Sequence, residues 1–554
     1  TISSYALKIT DEVFELNGKT YSQTARISLR DQNKNLIEKR KYGVINLEEL
    51  YSKINAGADI DISGCLLHNF SLADYRLQYD INKNESVSLS NLNASNSFFE
   101  ADKLADFSYA LFTGETTSFQ GAHFGSGNTS FLNSSFQTPN VDFSDTSFSE
   151  GNNVFQYTQF CDGNLTFENA NFSNGNISFV NAIFNNGDAN FKNVNFGDGE
   201  VSFRFASFGA GIVNFEKSVF GGALSDFSKV DFGSGKVDFR RCNFKNSLVS
   251  FEEIITNAEK IQFRRASFGN QPVSFKNAET PNTEINLDEA EFGDGRISFF
   301  NVTAKAISIK SAILSSYIDL RVNSCHTVDL SNTIIQNILD FKKGVSAVEI
   351  DRLYIYGVRN LGKLFINWDE NNVDKCICQQ TKTSYKQKAE QFRLLKEDFN
   401  TLGQYEDEDK AYIEFKRNEL KNSVYVASKK GTISKAKAYA NFGFQKLIFD
   451  WMGLYATSPI RVLVSVLLVY GFYSALYILF ELTNHGQISC IAVDMSAWEK
   501  IIDSFYFSAV TFLTIGYGEC TPTGFFKIIA PLEGLTGVFM MSYFTVAFVR
   551  KILR

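Results

Sequence analysis

Residues 167–191 read FENANFSNGNISFVNAIFNNGDANF, and their spacing decides the fold of most of the chain. Phenylalanine recurs here at alternating steps of five and seven, a period of twelve. From 107 to 299 the first series offers seventeen positions, sixteen of them Phe; Leu287 is the exception. The companion series, 112 to 292, has Phe at fourteen of sixteen, with Thr256 and Thr280 in the other two. A fixed period of this kind marks a solenoid. A smaller residue sits two before each Phe: Ala170 and Ala182 in one series, Ile177, Val201, Val213 and Ile261 in the other. Residues at i and i+2 that face the same way belong to strands. Each repeat therefore reads as strand, corner, strand, corner. GDG at 197–199 and 293–295 and GSG at 125–127 and 233–235 supply turns.

Twelve residues make too small a ring to enclose two Phe side chains. Two repeats, 24 residues, give a four-sided coil with four inward Phe. About eight such coils at ~4.8 Å each would stack to roughly 40 Å. Looser coils are expected on both sides, in DISGCLLHNFSL (61–72) and AISIKSAILSSYIDLRV (306–322). The pattern resembles the pentapeptide-repeat β-helix, in which a bulky central residue follows a small one two positions earlier. The seven-residue step departs from that family, adding two residues on alternate sides. GDG invites comparison with calcium-binding β-rolls, but their repeat is nine residues with a fixed Asp, so no metal site is expected.

The remaining composition excludes several classes. Net charge is −7, and the outward coil residues mix both signs, so neither a nucleic-acid binder nor a DNA mimic is indicated. Four scattered histidines (His68, His123, His326 and His485) show no nucleophile–base pattern, and no enzyme or organic cofactor is expected. Cys376 and Cys378 form a lone CxC with no further ligands near in sequence. Residues 1–60 read as a small α/β cap, since a solenoid must hide its apolar ends. The coil is expected over 61–350 and a helical connector over 351–432. Within the connector, Phe392, Leu395, Phe399 and Leu402 share a helical face, Gly403 breaks it, and Ala411, Tyr412 and Phe415 begin another. Lys435, Lys437 and Lys446 interleave with Phe442, Phe444 and Trp451, which suits an interfacial helix over 433–458.

Residues 459–554 change character. VLVSVLLVYGFYSALYILFEL (462–482) and FFKIIAPLEGLTGVFMMSYFTVAFV (525–549) are each long enough to cross ~30 Å of hydrocarbon. Lys429, Lys430, Lys435, Lys437, Lys446 and Arg461 precede the first; Arg550, Lys551 and Arg554 follow the second. Between them Lys500 faces Asp494, Glu499, Asp503 and Glu519. The basic flanks place both ends in the cytoplasm of a multi-pass protein of the cell inner (plasma) membrane, with the connecting loop outside. In that loop, Ser496 and Glu499 form a capping-box pattern for a short helix ending near 512. The chain then returns as Thr514-Ile515-Gly516-Tyr517-Gly518. Backbone at membrane depth must line a polar path or lie inside protein, and glycines permit dihedrals that turn successive carbonyls the same way.

This segment resembles the prokaryotic two-transmembrane potassium channels, over about 460–554. The resemblance implies an outer helix, a pore helix, a filter and an inner helix, and four chains around one pore. It implies that the carbonyls of Thr514, Ile515, Gly516 and Tyr517 and the Thr514 hydroxyl coordinate K⁺, the permeant ion, with Gly518 closing the filter. Glu519 stands where the family usually has Asp, with Tyr506 and Thr511 as supports behind the filter. Val510 stands where some members carry a buried Glu. LEGLTG (532–537) resembles the family's inner-helix glycine region, with Gly537 as hinge and Met541, Phe544 and Phe548 at a gate. Inward-rectifier channels bracket the pore with a disulfide, which implies a Cys490–Cys520 bond. No voltage-sensing Arg helix precedes the pore, so regulation is expected to enter from the N-terminal side. The coil would then serve assembly or gating, with an unidentified cytoplasmic ligand or protein left open as its partner. The alternative is a membrane-anchored β-helix scaffold or sensor whose pore is secondary.

Overall fold

The computed structural model describes residues 4–31, 33–148, 150–342, 349–483, 486–491 and 495–553. His485, Asp494, Arg554 and residues 343–348 of the expected coil lie outside them. The chain divides into two compact units, Thr1–Thr381 and Lys382–Arg554.

The first unit opens with strands Ser4–Thr10, Thr24–Arg30 and Leu36–Val44, paired antiparallel in that order. Helix α1 (Leu47–Asn55) starts at Asn46, whose side chain accepts from the Glu48 N–H, and buries Leu50, Tyr51 and Ile54. Helix α2 (Leu72–Gln78) is capped by Ser71 in the same manner. The cap does not merely sit on the coil. Val44 pairs parallel with Leu66, Leu66 with Phe98, and Phe98 with His123, so the cap sheet grows into one coil face.

The coil is four-sided. Ile177 pairs in parallel with Val201, and Val201 with Ser225; on another face Leu165 pairs with Ala189, and Ala189 with Val213. Two narrower faces are held by single bridges, such as Asn171 to Asn195 and Ile183 to Ser207. The rungs repeat every 24 residues, and Asn side chains at that spacing bond in ladders: Asn193 to Asn169 and Asn195 to Asn171, both 2.7 Å. Inside, Phe155, Phe179 and Phe203 stack with centroids 4.7 Å apart and rings within 10° of parallel. The opposing stack meets them edge-on, as Phe167 meets Phe155 at 89°.

The two corners solve different problems. In the five-residue step, the residue two after Phe turns left-handed: Asn169 has φ 61° and Asn193 φ 58°. Asn tolerates this region, yet Tyr157, Phe205 and Arg241 occupy the same place with φ of 56–59°. In the seven-residue step, the constraint is proximity. A Cβ on Gly199 would lie 2.0 Å from the Gly175 carbonyl oxygen, and one on Gly175 would lie 1.8 Å from that of Gly151.

Where Phe drops out, Leu287 and Thr280 are fully buried, and Thr280 donates to the Thr303 carbonyl (3.0 Å). Beyond them Ile and Leu fill the core and the turn shortens, so that Ser315 meets Gln336 across 21 residues. The smaller side chains fill a smaller cross-section. Strands continue through Arg359–Asn360 to Lys363–Phe365, so residues 351–365, expected in the helical connector, are coil. The buried pairs Leu353/Ile355 and Leu364/Ile366 repeat the two-residue spacing of earlier rungs. Helix α3 (Val373–Cys378) then closes the end. Cys376 of the CxC packs there, its sulfur 2.8 Å from the Ile350 carbonyl oxygen, and burial pushes its thiol up to about 12.

The second unit is helical. Helix α4 (Tyr385–Thr401) begins at a Ser384–Gln387 capping box, turns at Gly403 (φ 72°) and packs against α5 (Tyr405–Ser428). Helix α6 (Thr432–Gln445) runs into a π-helical turn, Lys446–Trp451. Helices α7 (Pro459–Leu482), α8 (Ala497–Phe512) and α9 (Phe526–Ile552) follow.

Two outcomes test the first unit. Phe203→Ala removes one ring from a full stack and should cost about 3–5 kcal/mol, read as faster amide exchange in the neighbouring coils. His123 is buried at the joint of cap and coil, and Arg40 Nη1 donates to its Nε2 (2.8 Å). Burial, then the Arg40 charge, pushes its pKa from 6.5 down to about 4. The folded state therefore favours the neutral ring, and its contribution is complete above about pH 6.5 and lost as pH falls toward 4. Denaturation across that range should show a loss of up to about 3 kcal/mol, flattened in His123→Gln.

Candidate functional site

Helices α7 and α9 are long and apolar enough to cross a membrane. Both leave large apolar side chains uncovered in the single chain, among them Ile460, Leu468 and Phe472 on α7 and Leu535 and Val546 on α9. Such continuous apolar surface needs lipid or protein against it. Ser458 caps α7 by accepting from the Arg461 N–H, and Pro459 occupies its first turn. Helix α8 begins at the expected box: Ser496 accepts from the Glu499 N–H, and the Glu499 carboxylate accepts from the Ser496 N–H (2.8 Å).

The loop after α8 has an alternating backbone. Thr514, Gly516 and Gly518 have φ of 56°, 65° and 81°, while Ile515 and Tyr517 between them do not turn left-handed. A β-branched residue in this region is strained, and such strain clusters at functional sites. The loop hangs on the last turn of α8: the Thr514 N–H donates to the Thr511 carbonyl (3.1 Å) and the Ile515 N–H to that of Val510 (2.9 Å). The Thr514 hydroxyl donates to the Leu513 carbonyl (2.7 Å). Residues 513–519 are all exposed in one chain.

Behind the loop, Tyr506, Val510, Thr511, Gly516, Tyr517 and Glu519 line one cleft of about 200 Å³. The structure brings Tyr506 and Glu519 to the same cleft, but no hydrogen bond joins them among the described residues. Past the loop, Cys490 and Cys520 form a disulfide. Ser489 and Thr521 share three hydrogen bonds beside it, and Gln487 and Thr523 pair next to them. The return strand containing Pro522 is therefore fastened to the segment before α8.

Helix α9 packs on α8 through glycine. A Cβ on Gly537 would lie 1.9 Å from the Phe512 carbonyl oxygen, and one on Gly534 would lie 3.6 Å from that of Thr511. Helix α9 is unbroken across Gly537, so in this conformation the residue serves close packing. Met541 and Phe548 are exposed on the single chain. Phe544 is partly covered by the cluster around Val462 and Met540, and stacks on Phe548 at 5.8 Å.

Sequence reasoning missed two groups of residues. Glu533, on α9, is fully buried and accepts from the hydroxyls of Tyr477 and Ser508. The sequence signal was a lone carboxylate within an apolar run. The second group ties the helical hairpin to the spans. Arg550, at the end of α9, reaches Asp409 of α5 (3.0 Å) and lies over the Tyr412 ring (4.5 Å). Arg417 of α5 pairs with Asp450 of the π-helical turn (2.7 Å). Asp450, above all, holds the Arg417 guanidinium above the usual arginine range. Tyr543 of α9 donates to the Phe449 carbonyl (3.1 Å) and accepts from the Ala456 N–H (3.0 Å). No cluster of metal-ligating side chains occurs among the described residues.

Residues 461–554 match a family model described as ion channel. No curated protein and no solved structure matches the chain. The match and the two apolar helices support a membrane ion-channel function for the second unit.

The α5 contacts generate a measurable expectation. Asp409→Arg should loosen α5 from the end of α9 by about 1–3 kcal/mol, since it removes a partly shielded, charge-assisted hydrogen bond. Asp409→Asn, which keeps the shape and an acceptor for Arg550, should cost less than Asp409→Arg, which also sets a cation beside Lys551. Proteolysis within α5 of the intact protein in detergent reads both.

Proposed function

We propose that the chain forms a potassium-selective channel of four copies around one central path, with the Phe-stacked coil on the cytoplasmic side serving assembly or gating. The observation that carries the reading is the Thr514–Gly518 loop. Its hand alternates residue by residue, its backbone is uncovered in one chain, and it lies between two membrane-length helices. Copies around an axis would turn these carbonyls inward, where rings of them replace the hydration shell of a monovalent cation. On this reading Thr514, Ile515, Gly516 and Tyr517 hold K⁺ and Gly518 closes the filter. Glu519, Tyr506 and Thr511 support it from behind. Met541 and Phe548 narrow the inner path, with Phe544 behind them. The C-terminal end of α8, with its partial negative charge, favours a cation below the filter.

The basic residues before α7 and after α9 support a plasma-membrane protein with both ends in the cytoplasm. The coil would then share a compartment with α4 and α5. Since α5 bonds both the end of α9 and the turn before α7, it supports a gating role for whatever moves the hairpin. Neither catalysis nor a cofactor enters this reading.

Purified protein in liposomes should pass K⁺ down its gradient and exclude Na⁺. Gly516→Asp, which puts a carboxylate and a Cβ at a left-handed position, should abolish the flux with tetramers intact. Flux unaffected by Gly516→Asp, or equal for both ions, would overturn the filter assignment.

A further inference from the structure

Resting on the channel reading, we infer that Glu533 is a positioning residue for the filter: through Ser508 and Tyr477 it sets the pore helix α8 between the outer and inner helices of its own subunit.

A carboxyl group inside a membrane-spanning helix is costly, and such groups are paired and face the protein interior. Glu533 is fully buried. Its Oε1 accepts from the Ser508 hydroxyl on α8 (2.5 Å), and its Oε2 accepts from the Tyr477 hydroxyl on α7 (2.7 Å). One side chain thus uses both oxygens to join three helices. Ser508 and Tyr477 are themselves fully buried, and the Tyr477 ring is fixed edge-on by Phe507 (5.1 Å) and Phe526 (4.9 Å). The clip therefore has one geometry.

A second contact works in the same direction. Gly537 lies one turn beyond Glu533 on α9, and its Cα abuts the Phe512 carbonyl at the end of α8. Glu533 holds α8 by hydrogen bonding one turn before its end; Gly537 sets how closely that end can approach. The first residues of the filter bond back to the carbonyls of Val510 and Thr511, so they follow any displacement of α8. Glu533 makes its hydrogen bonds to Ser508 and Tyr477 and not to residues 514–518, so its route to the filter is α8.

The test uses the full-length protein in liposomes, with K⁺ as the permeant ion and single-channel open time as the readout. Tyr477→Phe and Ser508→Ala each remove one donor and keep the packing. We expect Ser508→Ala and Glu533→Ala each to shorten the mean open time by about tenfold, and the double variant to be no worse than Glu533→Ala, because they act as one unit. Glu533→Gln, which retains an acceptor and the side-chain length, should recover most of the loss. A merely structural role would lower the number or thermal stability of tetramers and leave open time unchanged. Unaltered open times in both Ser508→Ala and Tyr477→Phe, with tetramers intact, would overturn the inference even if Glu533→Ala does not fold. So would effects that simply add. Absence of K⁺ flux from the unsubstituted protein would instead overturn the channel reading, and this inference with it.

Discussion

A peptide carbonyl at bilayer depth has no water to bond, so bare backbone there must face protein or a water-filled path. On the proposed channel reading, the Thr514–Gly518 loop meets this constraint on one side only. Towards its own chain it is held by the carbonyls of Val510 and Thr511; away from it, the backbone is uncovered. The rest of the second unit is arranged to hold that half-finished surface. Helix α8 is wedged between α7 and α9 by the Glu533 hydrogen bonds and by the close approach at Gly537. The return strand is fastened at Cys490–Cys520 and at the Ile488–Pro522 bridge. The open side is where the proposed neighbouring copies would complete the lining.

The first unit obeys the same backbone accounting in water. Among the described residues each coil donates to the next, which leaves unpaired edges and bare rings to be dealt with at the two ends. At one end the cap sheet passes its ladder directly into the coil, from Val44 through Leu66 and Phe98 to His123. At the other, α3 closes the last rungs, with Cys376 against Ile350. Such ends matter because an open parallel edge with apolar faces is a template for aggregation.

The coil was legible because one residue type marks its rungs at a fixed period, and two periods of twelve are the smallest ring that holds four Phe. Its limits were not. Residues 351–365 carry the same two-residue spacing with Leu and Ile, in shorter turns, and no single residue type announces them. The left-handed corner was equally hidden, because Tyr157, Phe205 and Arg241 occupy a position whose backbone is dictated by stacking rather than by local preference. In the second unit, the spans, the α8 capping box and the TIGYG loop all lay in contiguous sequence. Glu533 was visible as a carboxylate in an apolar run, but its partners, Tyr477 and Ser508, become its neighbours only once three helices pack. Gly537 read as a hinge by resemblance; its contact with Phe512 depends on the same packing.

The geometry of α5 indicates how movement would reach the path. Asp409 and Arg417 are eight positions apart on α5, about 12 Å along its axis and about 80° apart around it. Asp409 holds Arg550 at the end of the inner helix, while Arg417 holds Asp450 just before the outer helix. Tyr543 closes the loop by bonding the Phe449 carbonyl and the Ala456 N–H. A translation of α5 would therefore carry both helix ends together and leave the spacing between them unchanged. A tilt of α5 would move one relative to the other, against the restraint of Tyr543. On the proposed channel reading, the tilt is the motion of the two that displaces α9 relative to α7.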